Sequence, residues 1–193
     1  MDLRVEKGRT TRERIVGVAR DLFGRQGYDA TSIPQVLEAA GVARGALYHH
    51  FAGKEALFDA VVDQQVAEIA AVAAEAARAQ DDPVDSLRAG FGAWLELAAD
   101  PAVQRIALLD PPSVLGWERW RELDERHTLG GIKASLRRSG RVAEADADLL
   151  AHMLLAAVNE AALMIARAED PAAALAAGRA AVDALLARVL APV

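Results

Sequence analysis

Side chains able to do chemistry on a polyanion concentrate in one short stretch: Ala43, Arg44, Gly45 and Ala46, then Tyr48, His49 and His50, with Lys54 just beyond. A single arginine can donate two hydrogen bonds to a guanine, and small neighbours let a backbone approach base edges closely. Tyrosine, histidine and lysine suit phosphate oxygens, which fix position rather than read sequence. Leu47 and Phe51 would face the other way, into a small core. The competing chemistry is a metal-binding histidine pair. Adjacent residues on a helix point about 100° apart and no third ligand is near in the chain, so no metal site is expected.

Those residues need a scaffold that holds them outward. The stretch 31–51, TSIPQVLEAAGVARGALYHHF, reads as two short helices meeting at Gly41, a residue able to adopt the left-handed turn such a junction needs. Thr31 or Ser32 would cap the first helix, Ile33, Val36, Leu37 and Ala40 would face inward, and Pro34 falls in its first turn, where a missing amide costs little. A preceding helix over about 11–26, striped by Ile15, Val18, Ala19, Leu22 and Phe23 and ended by Gly27, would brace the pair. This is the pattern of a helix-turn-helix, whose second helix enters the major groove.

The run from Thr10 to about Val62 resembles the DNA-binding domain of the tetracycline-repressor (TetR) family. The likeness is carried by Thr11-Arg12-Glu13-Arg14-Ile15, Leu22-Phe23, Gly27-Tyr28-Asp29-Ala30-Thr31, Gly41-Val42, Leu47-Tyr48-His49-His50-Phe51 and Lys54-Glu55-Ala56-Leu57. It implies phosphate contacts by Tyr48, His49 and Lys54, and Arg44 and Gly45 against bases. The candidate DNA-binding set is Thr11, Thr31, Ser32, Ala43, Arg44, Gly45, Tyr48, His49 and Lys54. Two positions depart from the family pattern. Pro34 stands where a polar or basic contact is common, which shifts readout onto the third helix, and Ala43 replaces a frequent Ser or Thr, which weakens that helix's cap.

Composition sets the frame. The chain has 193 residues, 53% apolar and 26% charged, the balance of a globular protein with a real core. It has no cysteine, which excludes disulfides, thiolate metal sites and cysteine nucleophiles. Net charge is −6, but residues 1–54 hold nine Lys/Arg against six Asp/Glu, so a basic end sits on an acidic body. The start carries no signal peptide and no apolar run approaches about 18 uninterrupted residues, so a cytoplasmic protein without a membrane span is expected. An enzyme is the rival class. Gly53-Lys54-Glu55 lacks the spacing of a phosphate loop, no G-x-S-x-G or H-E-x-x-H occurs, and Asp124, Glu125 and His127 read as solvent-facing. A helical interaction module is the third possibility.

The remainder is alanine-rich with three- and four-residue apolar spacing, so the whole chain reads as all-α. Helices are expected over about 54–79, 83–99, 101–109, 117–138, 145–168 and 171–190. Asp82, Asp100 and Asp170, each before a proline, serve as N-caps; Pro111-Pro112 forces a break, and Gly130-Gly131 bends the helix they interrupt. The domains fall at 9–69, the helix-turn-helix domain, and 70–193, an effector and dimerisation domain. The family resemblance implies a repressor that binds a palindromic operator as a homodimer through its last two helices. Leu150, Met153, Leu154, Ala157, Val158, Ala161 and Ile165 form one apolar face for this, and Leu175, Val182, Leu185, Leu186 and Val189 another. It also implies a small organic effector and no cofactor. Phe91, Trp94, Trp117, Trp120, His127, Met153 and Asn159 are the candidate effector residues, and the long fourth helix the lever.

Overall fold

The computed structural model describes residues 3–191, with side chains from Thr10 to Ala191, and every regular element among them is helical. In order they are α1 (Leu3–Ala30), α2 (Ile33–Ala40), α3 (Arg44–His50), α4 (Lys54–Arg78), α5 (Pro83–Leu97), α6 (Pro101–Gln104), α7 (Pro111–Val114), α8 (Trp117–Asp124), α9 (Gly130–Ser139), α10 (Ala147–Ala166) and α11 (Pro171–Val189). Wide π-type turns, Arg105–Leu109 and Glu125–Leu129, follow α6 and α8. The chain divides into two compact units. The first comprises the residues through Gln65 together with Arg105–Trp120; the second comprises Val66–Gln104 and the residues from Arg121 onward. Helix α4 is continuous through the change of unit at Gln65.

In the first unit α2 and α3 both pack on α1. Ile15, Val16, Ala19 and Phe23 of α1 meet a core completed by Val36, Leu47, Leu57, Phe58 and Val61, all essentially sealed from solvent. Gly27 stops α1 as expected, at φ 85°, ψ 170°, and one further turn follows it to Ala30. A broken helix exposes backbone groups that must be satisfied elsewhere. Thr31 Oγ1 donates to Gly27 O (2.8 Å) and Gln26 Nε2 to Ala30 O (3.1 Å). Arg105 Nη1 donates to Arg25 O (3.0 Å), and Asp110 Oδ2 accepts from Tyr28 N (2.9 Å). Those last two partners lie some eighty residues away in the chain, and residues 105–120 pack within the first unit although they follow the expected boundary at 69/70. The helical run from Pro101 ends at Leu109, as expected, and Pro111-Pro112 then opens a separate short helix, α7, because a proline in a first turn forfeits an amide that has no intrahelical partner.

In the second unit α5 lies against α9, α10 and α11 around Leu87, Phe91, Trp94, Leu95, Leu136 and Leu154. Asp82, Asp100 and Asp170 cap as expected; Asp170 Oδ1, for one, accepts from Ala172 N (3.1 Å) and Ala173 N (3.0 Å). Gly130 keeps helical angles (φ −57°, ψ −42°), so the irregularity falls in the wide turn before the glycine pair and not at it. Helix α10 is the most apolar of the long helices among the described residues. By length and composition it is apolar enough to cross a membrane, although one third of its most apolar stretch is buried in this fold. Asp148, His152 and Glu160 are spaced along it, so no uninterrupted apolar run approaches a membrane span, as expected. Its stripe of Ala151, Leu154, Leu155, Val158, Ala162 and Ile165 is buried, as befits a core helix of a bundle.

Candidate nucleic-acid interface

The reading surface is built on α3, and its orientation follows from which residues the core takes. Leu47 is fully buried and Phe51 nearly so, which anchors one side of a seven-residue helix. The other side carries Ala43, Arg44, Gly45, Tyr48 and His49, all exposed. A Cβ added at Gly45 would meet nothing within 4 Å, so the glycine relieves no internal clash and leaves open surface for an approaching partner. Gly41 makes the turn between α2 and α3 at φ 61°, in the left-handed region where a side chain would be strained.

Cations on this unit rest on aromatic faces. The Arg44 guanidinium lies 5.3 Å from the Tyr48 ring centre, Arg12 lies 5.3 Å from that of Phe51, and Lys54 Nζ 4.1 Å from that of Tyr28. Each such contact is worth about 0.5–1 kcal/mol at an exposed site and restricts where a long side chain can swing. The His49 and His50 rings meet edge-on at 5.0 Å. Burial, with His49 and Arg12 adding to it, holds the His50 imidazole below its ordinary pKa.

Two expected contacts have structural duties. Thr31 is 1% exposed, with its hydroxyl donating to Gly27 O and accepting from Gln26 Nε2 at 3.1 Å; it has no surface to offer DNA, and that assignment is withdrawn. Ser32 is exposed but closes a capping box: its backbone N donates to Gln35 Oε1 (2.7 Å) and its Oγ accepts from Gln35 N (3.4 Å). Ala43, as the sequence implied, caps α3 without any side-chain bond. Thr11 is half-buried near the middle of α1, and Lys54 is half-buried at the start of α4. Arg12 was not among the candidates; its place on Phe51 depends on packing between α1 and the end of α3.

A family model described as bacterial regulatory proteins, tetR family, matches residues 15–61, the unit just described. A second, described as Tetracyclin repressor-like, C-terminal domain, matches residues 84–189, more than half of the chain. The chain belongs to the TetR family. A TetR-family transcriptional regulator from Pectobacterium atrosepticum, known from its crystal structure, is 35% identical over 97% of each chain with a TM-score of 0.79. The Transposon Tn10 TetC protein of Escherichia coli is 27% identical over 77% of each chain. The HTH-type transcriptional regulator AcrR of Shigella flexneri is 37% identical over 84 residues, and the chain spans 39% of its length. TetR-family proteins are DNA-binding transcriptional regulators and not enzymes, and the all-α fold with an N-terminal helix-turn-helix is theirs.

The expected effector residues fall in both compact units. Trp94 Nε1 donates to Asn159 Oδ1 at 3.0 Å, so these two meet across α5 and α10, while Phe91 is buried one turn earlier on α5. Trp117 and Trp120 belong to the first unit, their rings 5.1 Å apart, with Trp120 Nε1 donating to Ala107 O. His127 lies in the second wide turn, and Met153 faces outward, 59% exposed. A cleft of about 350 Å³ does open between α5 and α11, lined by Arg88, Gly92, Leu95, Arg179, Val182 and Asp183 among others, but none of the seven candidates lines it. Asp124, read as solvent-facing, is buried instead. Sequence spacing marks a side chain as aromatic or polar on a helix; which helices then converge is decided by long-range packing.

Proposed function

We propose that this chain is a dimeric, sequence-specific transcriptional repressor, released from a palindromic operator by a small organic effector. The observation that carries the reading is the outer face of α3, where Arg44, Gly45, Tyr48 and His49 stand exposed while Leu47 anchors the helix from behind. A helix presented in this way suits the major groove, with Arg44 reading a base and Tyr48, His49 and Lys54 holding phosphates.

Dimerisation is supported by the outer surface of the last two helices. Of the apolar face expected on α10, Leu154, Val158 and Ile165 serve the core and Met153 is more than half exposed; Leu149 and Met164, which lie outside that expected set, are more than half exposed as well. On α11 the exposed row Ala173, Ala177, Ala180 and Ala184 permits close approach of a second helix. Two copies joined there carry two reading heads, so the operator would share their twofold symmetry. The effector contacts narrow to Phe91, Trp94 and Asn159, with binding coupled to operator release by about 1–3 kcal/mol and α4, common to both units, as the lever. Such a regulator works in the cytoplasm, beside the chromosome.

The test is selection of duplexes from a random-sequence pool by the full chain, followed by mobility shift across a range of salt. Expected are a palindromic consensus and affinity that falls steeply with salt. Recovery of no common sequence would sink the proposal.

A further inference from the structure

Residues 105–120 are tied to the reading head by polar bonds at three points. Arg105 Nη1 reaches Arg25 O, Asp110 Oδ2 reaches Tyr28 N, and Arg119 makes a two-pronged ion pair with Asp59, Nε to Oδ1 at 2.7 Å and Nη2 to Oδ2 at 3.1 Å. The first two converge on the left-handed break at Gly27. A Cβ there would stand 3.6 Å from both Arg105 Cδ and Asp110 Oδ2, so the two side chains lie directly on the bend.

The Asp110 bond leads onward to a charge. Tyr28, whose amide it holds, stacks its ring on Phe23 (centres 5.8 Å apart) and meets Phe58 edge-on (5.0 Å). Both of those phenylalanines are fully buried, so the ring is fixed from within. Its face in turn carries the ammonium of Lys54, 4.1 Å from the ring centre. A lysine left to itself samples many rotamers; one resting on a fixed ring samples few.

We infer that Asp110 is a positioning residue for DNA binding: it fixes Tyr28, and Tyr28 aims the Lys54 ammonium at a phosphate. The inference rests on the DNA-binding reading of α3 and Lys54. It assigns to a residue 82 positions from Tyr28 an effect on how strongly the head grips a duplex, without any contact to that duplex.

The experiment measures binding of the full chain to a duplex selected by the parent protein, as a function of salt. Lys54→Ala removes one phosphate contact and lowers the salt slope by about one. Asp110→Ala should bind about two- to fivefold more weakly with a shallower salt slope, whereas Asp110→Asn keeps an acceptor for Tyr28 N and should bind like the parent. Asp110→Ala should add nothing once Lys54 is alanine. Tyr28→Leu removes the ring but leaves the Asp110 acceptor and the amide, so it should reproduce the shallower slope even if Asp110→Ala fails to fold. Parent-like binding by folded Asp110→Ala, an effect that adds to that of Lys54→Ala, or a parent-like slope for Tyr28→Leu would each overturn the inference. Parent-like binding by Lys54→Ala would instead overturn the phosphate role of Lys54 beneath it.

Discussion

Arg44 and Tyr48 sit one turn apart on the exposed face of α3, with the guanidinium 5.3 Å from the ring centre. The ring limits the rotamers open to the arginine before any duplex arrives, so in the proposed role less freedom would be lost on forking onto a base. Arg44→Ala should cost about 1–3 kcal/mol at the selected operator while changing non-specific binding little. Arg44→Lys should lose most of the same discrimination, because an ammonium cannot make the two parallel bonds. Competition between the operator and single-base variants checks this; unchanged preference in both substitutions would move base reading elsewhere on the head.

The two helices of the motif are capped unequally. Ser32 and Gln35 form a complete capping box on α2, whereas α3 begins at Ala43 with no side-chain bond. Ser32→Ala should therefore destabilise the first unit by about 1 kcal/mol, and Ala43→Ser should stabilise it by about 0.5–1 kcal/mol. Urea unfolding of the two variants, followed by circular dichroism, gives both signs. Equal midpoints would mean that the α3 terminus is satisfied in some other way.

Asp124 makes stability depend on pH. Burial drives its carboxyl from the ordinary 3.8 up to about 6, against the opposing pull of Arg121 and His152. Arg121 Nη1 lies 3.3 Å from Asp124 Oδ2, and His152 Nε2 lies 3.7 Å from Glu125 Oε2 beside it. The folded chain thus keeps a proton that the unfolded chain releases near pH 4. The stabilising contribution is complete below about 3.8 and is lost as pH rises through about 6, an upper bound of about 3 kcal/mol at about 1.4 kcal/mol per pH unit. Asp124→Asn should raise the melting temperature at pH 8, by about 1–3 kcal/mol of stability, and raise it little near pH 4. A gain of the same size at both values would show that the ionised carboxylate carries no penalty.

The proposed dimer surface can be tested without touching the core. Leu149, Met153 and Met164 are 67%, 59% and 67% exposed, so a glutamate at any of them disturbs nothing within the subunit. Met153→Glu and Met164→Glu should each weaken self-association by more than about tenfold, since a dimer would have to bury the unpaired charge, and should leave the melting of the second unit nearly unchanged. Sedimentation across a concentration series reads the result. An intact dimer in both variants would exclude this face.

Local chemistry was legible in the linear chain. The Asp-Pro pairs start helices where the sequence says they should, since an aspartate oxygen and a proline ring act within one turn. Gly27 and Gly41 end helices at positive φ, and α3 faces outward with Arg44, because alternation of buried and exposed residues is itself a helical property. Where the prediction failed, the deciding partner was distant. Of the two residues offered as the cap of α2, Ser32 serves, while Thr31, also expected at the DNA, is sealed against the bend at Gly27. The α10 face looked single, but α5, α9 and α11 take one part of it and leave the other bare.

Helix positions, the helix-turn-helix and the exposed face of α3 were thus determined by the amino-acid order alone, because caps, turns and periodicity act over a few residues. The attachment of Asp110 and Arg105 to the end of α1, the burial of Asp124 and the dispersal of the aromatic candidates were decided by the tertiary structure. Each joins groups tens of residues apart in the chain, where no local spacing rule applies and only the packing of whole helices determines which side chains meet.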